Sequence, residues 1–399
     1  MNAETLRCAN DLKLFNKLLQ EPDVIQTNKQ LDGLASKGPA SIRRHLLSTS
    51  VRLTPTMSKS IHAMAEDCIE RLGVNLPLEL YVYASPQFNA ACFKPEDDRL
   101  YVMFSSSLLE GFSESELKFV IGHELGHHVY QHHDIPIGYL LRGETKPRPR
   151  VALELFAWSR YAEISADRAG AHCAQDPNAV ASSLFKLASG LTGKSIEFNL
   201  DDFLAQVDDM QVVDAEPGQG SPKEDWFATH PFSPLRVKAL QLFEQSVLSA
   251  RGKVSVDELE VGVQGLMSLM EPNYMEGKTD AAEAMRRALF AGAIAVANAS
   301  KGISEQEIRV FNDFFGRDAF SEKLNVEKLK QQLPERAKKV ASLASQSQRM
   351  QVLRDLCLVA QADGKVTAKE RKLLVSISQQ LDVPDAFVDQ VLASSVELD

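Results

Sequence analysis

Phe119-Val120-Ile121-Gly122-His123-Glu124-Leu125-Gly126-His127-His128 is the stretch from which the fold of this 399-residue chain can be read. Its H-E-x-x-H spacing sets His123 and His127 four residues apart on one face of an α-helix, where both imidazoles can reach a single metal ion. Glu124 then stands beside that ion with a carboxylate free to carry a proton. The flanks predict the helix: Ser113 followed by Glu116 forms a capping box, and Leu117, Val120, Ile121, Leu125 and Val129 recur as an apolar stripe. Two histidines alone do not make such a site, because a core helix can carry histidines that merely hydrogen-bond. A third ligand decides.

A catalytic zinc takes three protein ligands and keeps a fourth position for water, and a histidine pair is commonly completed by a carboxylate. Glu163 is the expected third ligand. It lies on a second long helix predicted from Val151 to about Ala174, and Asp167, four residues later, shares its face. Asp167 can accept a hydrogen bond from a ligand imidazole and fix its tautomer; a surface pair with Arg160 or Arg168 is the alternative. His128, His132 and His133 follow the motif, and solvated or hydrogen-bonded side chains are the default for them.

The composition, 44% hydrophobic with a net charge of −10, suits two or three globular domains. Acidic residues outnumber basic ones on both sides of residue 250, which disfavours nucleic acid or an anionic membrane as the main partner. Met1 to Gln20 is amphipathic and does not read as a signal peptide. The longest apolar run, Ala288 to Ala299, is too short to cross a bilayer and contains Gly292 and Asn298, so no transmembrane segment is expected. Cys8, Cys68, Cys92, Cys173 and Cys357 are odd in number and scattered, which argues against a disulfide framework and for a reducing cytoplasm. Cys8 could cap the metal of a latent enzyme as a thiolate, but it lies on the amphipathic first helix, where a buried apolar role fits better.

Residues 1 to about 52 read as two helices around Glu21-Pro22-Asp23, and Thr54-Pro55 opens another that ends near Gly73. His62 lies off its apolar stripe and reads as a surface residue. Leu78 to Tyr83, Asn89 to Phe93 and Arg99 to Phe104 alternate as strands of a small antiparallel sheet. After a helix over Pro177 to Gly190, the stretch Asp201 to Trp226 lacks clear periodicity and reads as a mobile loop or lid. Thr229 to Arg236 opens a helix running to about Arg251. Beyond Ser255 the pattern is almost wholly helical and repeats: Ala297 to Glu307 aligns with Ala360 to Glu370, each copy turning through a glycine into a capping box, Ser304 to Glu307 or Thr367 to Glu370. Asp363-Gly364 lacks the alternating carboxylates of a calcium loop and reads as a turn. The expected division is 1–54 as an N-terminal helical segment, 55–252 as the metal-binding domain and 253–399 as an all-helical domain.

Taken in order, His123-Glu124-x-x-His127, Glu163-x-x-Ala166-Asp167 and His230-Pro231 with Arg236 resemble the motifs of the HtpX-like and CAAX-prenyl-protease family of gluzincin metallopeptidases. Asn89-Ala90 after a strand is similar as well, and the resemblance covers roughly residues 55 to 250. It implies an α+β fold, a mainly helical peptidase domain with a small sheet, and one zinc ion. It also puts the His230 loop at the cleft, where His230 would stabilise charge on the scissile carbonyl oxygen or ligate zinc at rest, while Arg236 pairs with Asp167 or Glu163 or binds a substrate carboxylate. Family members usually carry transmembrane helices or an export signal; neither is read here, so a membrane or prenylated substrate is not carried over. Roughly residues 270 to 395 resemble TerB-like helical domains, which implies a partner-binding or stress-linked role, although Ser300 stands in the first copy where the second has Asp363.

These readings converge on a zinc endopeptidase acting on protein or unfolded-peptide substrates, with the substrate lying as an added strand along Asn89 to Phe93. Competing with it are an adaptor that keeps the fold as a zinc-stabilised scaffold, and a latent protease opened by a partner at the C-terminal domain. Glu124 weighs against the scaffold, because a structural zinc site has no use for that carboxylate.

Overall fold

A computed structural model describes residues 3–35, 42–142, 147, 149–192, 196–214, 228–250, 252–270, 274–275, 280–299, 303–315, 325–362 and 364–393. The chain divides into two compact units, one of residues 1–205 and 228–256, the other of residues 206–227 and 257–399.

The first unit opens with a 3-10 turn, Ala3–Leu6, and helices α1 (Ala9–Leu18), α2 (Pro22–Ala35) and α3 (Ile42–Thr49), then strand β1 (Val51–Leu53). One strand and a third helix are thus present where two helices were expected. Helix α4 (Lys59–Leu72) begins four residues after Pro55, beyond a turn over 55–57, and ends at Gly73, whose φ of 67° suits a residue without Cβ. His62 is half-buried, its Nε2 3.0 Å from the Leu53 carbonyl. Strands β2 (Leu78–Tyr83), β3 (Ala90–Cys92) and β4 (Leu100–Ser105) complete one sheet in the order β1-β2-β4-β3. The sheet is mixed rather than antiparallel, because β4 pairs parallel to β2. After β2 the chain crosses to the far edge, and the β3–β4 hairpin folds β4 back between them. Strand alternation reports which residues face a core but not this order.

Next come α5 (Ser106–Gly111), α6 (Glu114–Val129), α7 (Ile137–Arg142), α8 (Pro149–Ala174), α9 (Pro177–Ser189) and α10 (Leu200–Asp214). The α6 capping box forms as expected, with the Ser113 amide donating to Glu116 and the Glu116 amide to Ser113 Oγ. Helix α10 corrects the reading of a lid: Asn199 Oδ1 accepts from the amides of Asp201 and Asp202, and Leu200, Phe203, Leu204 and Val207 keep helical spacing under the acidic composition. Phe203 anchors its start against Phe185 and Phe198. The rest of that stretch, 215–227, lies outside the described residues. Helix α11 (Ser233–Gln245) is shorter than expected at both ends.

Among the described residues, helices α6 and α8 form the most extensive element pair. Small residues allow it: a Cβ on Gly122 would lie 2.8 Å from Cys173 Sγ, one on Gly126 2.9 Å from Ala169 Cβ, and one on Gly170 2.6 Å from the Phe119 carbonyl. The N-terminal helices pack onto the other side of α8, where Phe15, Leu18 and Val24 share a core with Leu155, Trp158 and Ala162.

The second unit is helical: α12 (Val256–Ser268), α13 (Asp280–Ala297), α14 (Glu305–Phe315), α15 (Val326–Leu343), α16 (Gln346–Gln361), α17 (Ala368–Gln380) and α18 (Ala386–Ala393). Met285, Leu289, Ile294, Leu353, Leu356 and Ile377 lie in its core. Both expected capping boxes are present, at Ser304 with Glu307 and at Thr367 with Glu370. Of the repeat turns, 300–302 and 363 lie outside the described residues. No helix among the described residues is long and apolar enough to cross a membrane.

Candidate metal centre

The close α6–α8 crossing brings three expected ligands together. His127 Nε2 lies 3.2 Å from His123 Nε2, His123 Nε2 lies 3.4 Å from Glu163 Oε2, and His127 Nε2 lies 3.4 Å from Glu163 Oε1. Four-coordinate zinc with bonds of about 2.0–2.2 Å requires ligand atoms about 3.3–3.5 Å apart, so these spacings fit one tetrahedral ion. Glu163 Oε2 is buried without a hydrogen-bond partner, as expected of an atom whose partner is a metal. Among the described residues, His123, His127 and Glu163 form the group whose ligand atoms all lie within 4.8 Å of one another.

Behind the ligands lies a buried carboxylate. His123 Nδ1 is 2.9 Å from Asp167 Oδ1, so the imidazole donates there and turns Nε2 toward the centre. Asp167 in turn accepts two hydrogen bonds from Arg236, at 2.8 Å from Nε and 2.6 Å from Nη2. Burial alone would raise the pKa of Asp167, but Arg236 and His123 outweigh it and lower it. Glu163 behaves alike: burial opposes its charge, yet His230, His123 and His127 hold its carboxyl well below the usual range. Burial likewise opposes charge on His123, and Asp167 and Glu163 override it, raising its pKa to about 10.

Glu124 projects toward the sheet, where its Oε2 accepts from the Cys92 amide of β3 at 2.8 Å. Burial and Glu124 push the Cys92 thiol up, so it is no thiolate. Asn89 and Ala90 lie at the start of β3 on the sheet edge, with Asn89 Nδ2 donating to the Tyr83 hydroxyl at 3.1 Å. His230 is 64% exposed; its Nε2 lies 3.4 Å from Glu163 Oε1, and its Nδ1 2.9 Å from Thr229 Oγ1. Arg236 Nη2 also approaches Glu163 Oε2 at 3.4 Å. His123, Glu124, His127, Glu163, Asp167, His230 and Arg236 thus lie on or beside the α6–α8 crossing, while Ala90 opens the strand whose Cys92 holds Glu124 and Asn89 directly precedes it.

Asp11 was not expected beside these residues, and His132 was expected only as a solvated or hydrogen-bonded side chain. His132 follows Gln131, whose φ of 59° breaks α6 and reverses the chain, so the His132 ring returns to His127 with Nδ1 atoms 2.8 Å apart. Its Nε2 lies 3.0 Å from Asp11 Oδ2 on α1. Burial lowers the pKa of His132 despite Asp11. Burial opposes ionisation of Asp11, but His132 and Arg7 outweigh it and lower it to about 2. No spacing rule connects residues 11 and 132. Cys8 lies near this end, buried, with its amide donating to Ser165 Oγ at 3.0 Å. His128 and His133 instead line a hollow of about 540 Å³ with Lys94 and Asp134, which includes none of the three ligands.

A two-histidine helix crossed by a glutamate-bearing helix, beside an edge strand, is the arrangement of a metal-dependent peptidase. The comparisons define it further: residues 55–142 and 150–244 match the model of Peptidase family M48, and residues 286–393 that of Tellurite resistance protein TerB. Each match covers less than half of the chain: the peptidase region is similar to the HtpX-like M48 metallopeptidases, a zinc-dependent family, and the region after it is similar to a TerB domain. It is 28% identical over 218 residues to Plastoglobule-localized metallopeptidase 48, chloroplastic, of Arabidopsis thaliana, across 50% of this chain and 61% of that one. A Protease HtpX homolog of Ralstonia pickettii (strain 12J) is 26% identical over 227 residues, covering 48% of this chain and 76% of that protein. Protease HtpX of Shewanella pealeana is 38% identical over 58 residues, 14% of this chain and 20% of the relative. The chain therefore spans less than two thirds of the plastoglobule relative's length. No solved structure matches it.

Proposed function

We propose that this chain is a zinc-dependent endopeptidase that cleaves protein or unfolded-peptide substrates, with one zinc held by His123, His127 and Glu163. The observation that carries the reading is the convergence of two Nε2 atoms and one carboxylate at tetrahedral spacing. Bound zinc supplies a water of lowered pKa and polarises the scissile carbonyl. Glu124 takes the proton of the attacking water and returns it to the leaving amine. Its hydrogen bond from Cys92 holds the carboxylate between α6 and the edge strand, where a substrate added to β3 would lie. Ala90 begins that strand, directly after Asn89, and the two offer main-chain groups to peptides of varied sequence. His230, outside the ligand triplet and exposed at the mouth, donates to the carbonyl oxygen as charge grows there. Asp167 keeps His123 in its ligating tautomer, and Arg236 neutralises Asp167.

Around this centre, residues 1–54 serve as an N-terminal helical segment, 55–252 as the peptidase domain and 253–399 as a helical module that regulates the enzyme or binds a protein partner. All five cysteines are free, in keeping with a reducing cytoplasm. The test is zinc content measured together with hydrolysis of a denatured protein, for the native chain and Glu124→Gln. The variant should retain its zinc and lose hydrolysis. Unchanged hydrolysis would refute the mechanism.

A further inference from the structure

We propose that Asp11, acting through His132, is a positioning residue for the metal ligand His127. The inference rests on the reading of His123, His127 and Glu163 as zinc ligands, and concerns a helix outside the residues matched to the peptidase family.

Hydrogen-bond chemistry fixes the direction of the chain of contacts. A carboxylate accepts only, so Asp11 Oδ2 accepts a hydrogen bond from His132 Nε2–H, 3.0 Å away. A neutral imidazole protonated at Nε2 has a bare Nδ1. That atom faces His127 Nδ1 at 2.8 Å, so His127 must donate and carry its proton on Nδ1. His127 Nε2 is left with a lone pair aimed at His123 Nε2 and Glu163. His123 receives the same instruction directly from Asp167. The two ligands are thus set by two carboxylates, one in contact and one relayed through a second imidazole.

Asp11 is built into this place. It is fully buried and accepts from Ser165 Oγ at 2.8 Å, Trp158 Nε1 at 3.0 Å and Arg7 Nε at 2.9 Å. Ser165 and Trp158 belong to α8, the helix that also carries Glu163 and Asp167. Helix α1 therefore acts as part of the metal centre rather than as a peripheral attachment.

The first test needs no variant: long-range proton–nitrogen NMR of the metal-free full chain with labelled histidines. The expected result is a proton on His127 Nδ1 and on His132 Nε2; a proton on His127 Nε2 overturns the proposal. The second uses chelator competition for zinc and the visible spectrum of the cobalt-substituted protein. Asp11→Asn can donate where Asp11 accepts and so favours the wrong tautomers. It and His132→Phe should bind zinc about 10–100-fold more weakly, with an altered cobalt spectrum. Phe15→Leu, which loosens α1 against Trp158 and Arg7 but removes no hydrogen-bonding group of the relay, should lose far less zinc affinity than Asp11→Asn. Wild-type affinity and spectrum in Asp11→Asn, or equal zinc loss in Phe15→Leu, overturn the inference. If Asp11→Asn does not fold, His132→Phe and the NMR experiment decide. Failure of the native chain to bind zinc, or binding that survives His123→Ala, instead sinks the ligand assignment itself.

Discussion

Gly126→Ala probes the geometry on which the proposed site depends, because Gly126 lies between His123 and His127, the proposed ligands, on the face of α6 that meets α8. A Cβ there would sit 2.9 Å from Ala169 Cβ and 3.1 Å from Ala166 Cα, where ordinary contact starts near 3.4 Å. Since packed interiors have no slack, the helices must part by about 0.5 Å at this level. Overpacking of this kind costs about 1–3 kcal/mol. Replacing a helical glycine by alanine offsets about 1 kcal/mol of that, so the variant should still fold. Zinc is less forgiving, because its bond lengths hold within about 0.2 Å and Glu163 rides on α8 three residues before Ala166. Zinc affinity should therefore fall at least about tenfold, or ~1.4 kcal/mol. Chelator competition measures that loss, and urea unfolding of the metal-free protein measures the smaller stability change. Gly138→Ala is the control, since a Cβ there meets nothing within 4 Å. Zinc bound by Gly126→Ala as tightly as by the native chain would refute the idea that close helix approach sets the ligand spacing.

Asp167→Asn should destabilise the metal-free protein by about 3 kcal/mol, because it leaves Arg236 buried and short of a partner, and should weaken zinc binding through the His123 tautomer. A loss under about 1 kcal/mol in urea unfolding would contradict that account. Asp11 makes stability depend on acid. Its pKa in the folded chain, about 2, lies below the ordinary 3.8, so its contribution is present above pH 4 and is lost as pH falls toward 2. The advantage of the native chain over Asp11→Asn, about 2 kcal/mol from this charge alone, should shrink across that window. A gap that stays constant from pH 5 to 2 would show that the carboxylate charge is not its source.

The proposed ligands were legible because their signals are local or periodic. Residues four apart on a helix share a face, so His123 and His127 form a pair and Glu163 and Asp167 another, whatever the rest of the chain does. The same holds for the capping boxes at Ser113, Ser304 and Thr367, in which each residue satisfies a helix-end amide three positions away. Helix α10 was missed for an opposite reason. Its apolar stripe is present, but carboxylates and the Gly- and Pro-containing residues after it mask the period.

Pattern in the chain established that two imidazoles and a carboxylate were available on two helices. Their meeting at 3.2–3.4 Å depended on Gly122, Gly126, Ala166, Ala169 and Gly170, whose meaning is the absence of atoms between helices, and a missing side chain has no periodicity of its own. The order of the sheet, the return of His132 through Gln131 and the arrival of Asp11 from 121 residues away belong to tertiary structure for a related reason. Each is a pairing chosen by the global packing of layers, and only hydrogen bonds between neighbours in space, not neighbours in sequence, carry that choice.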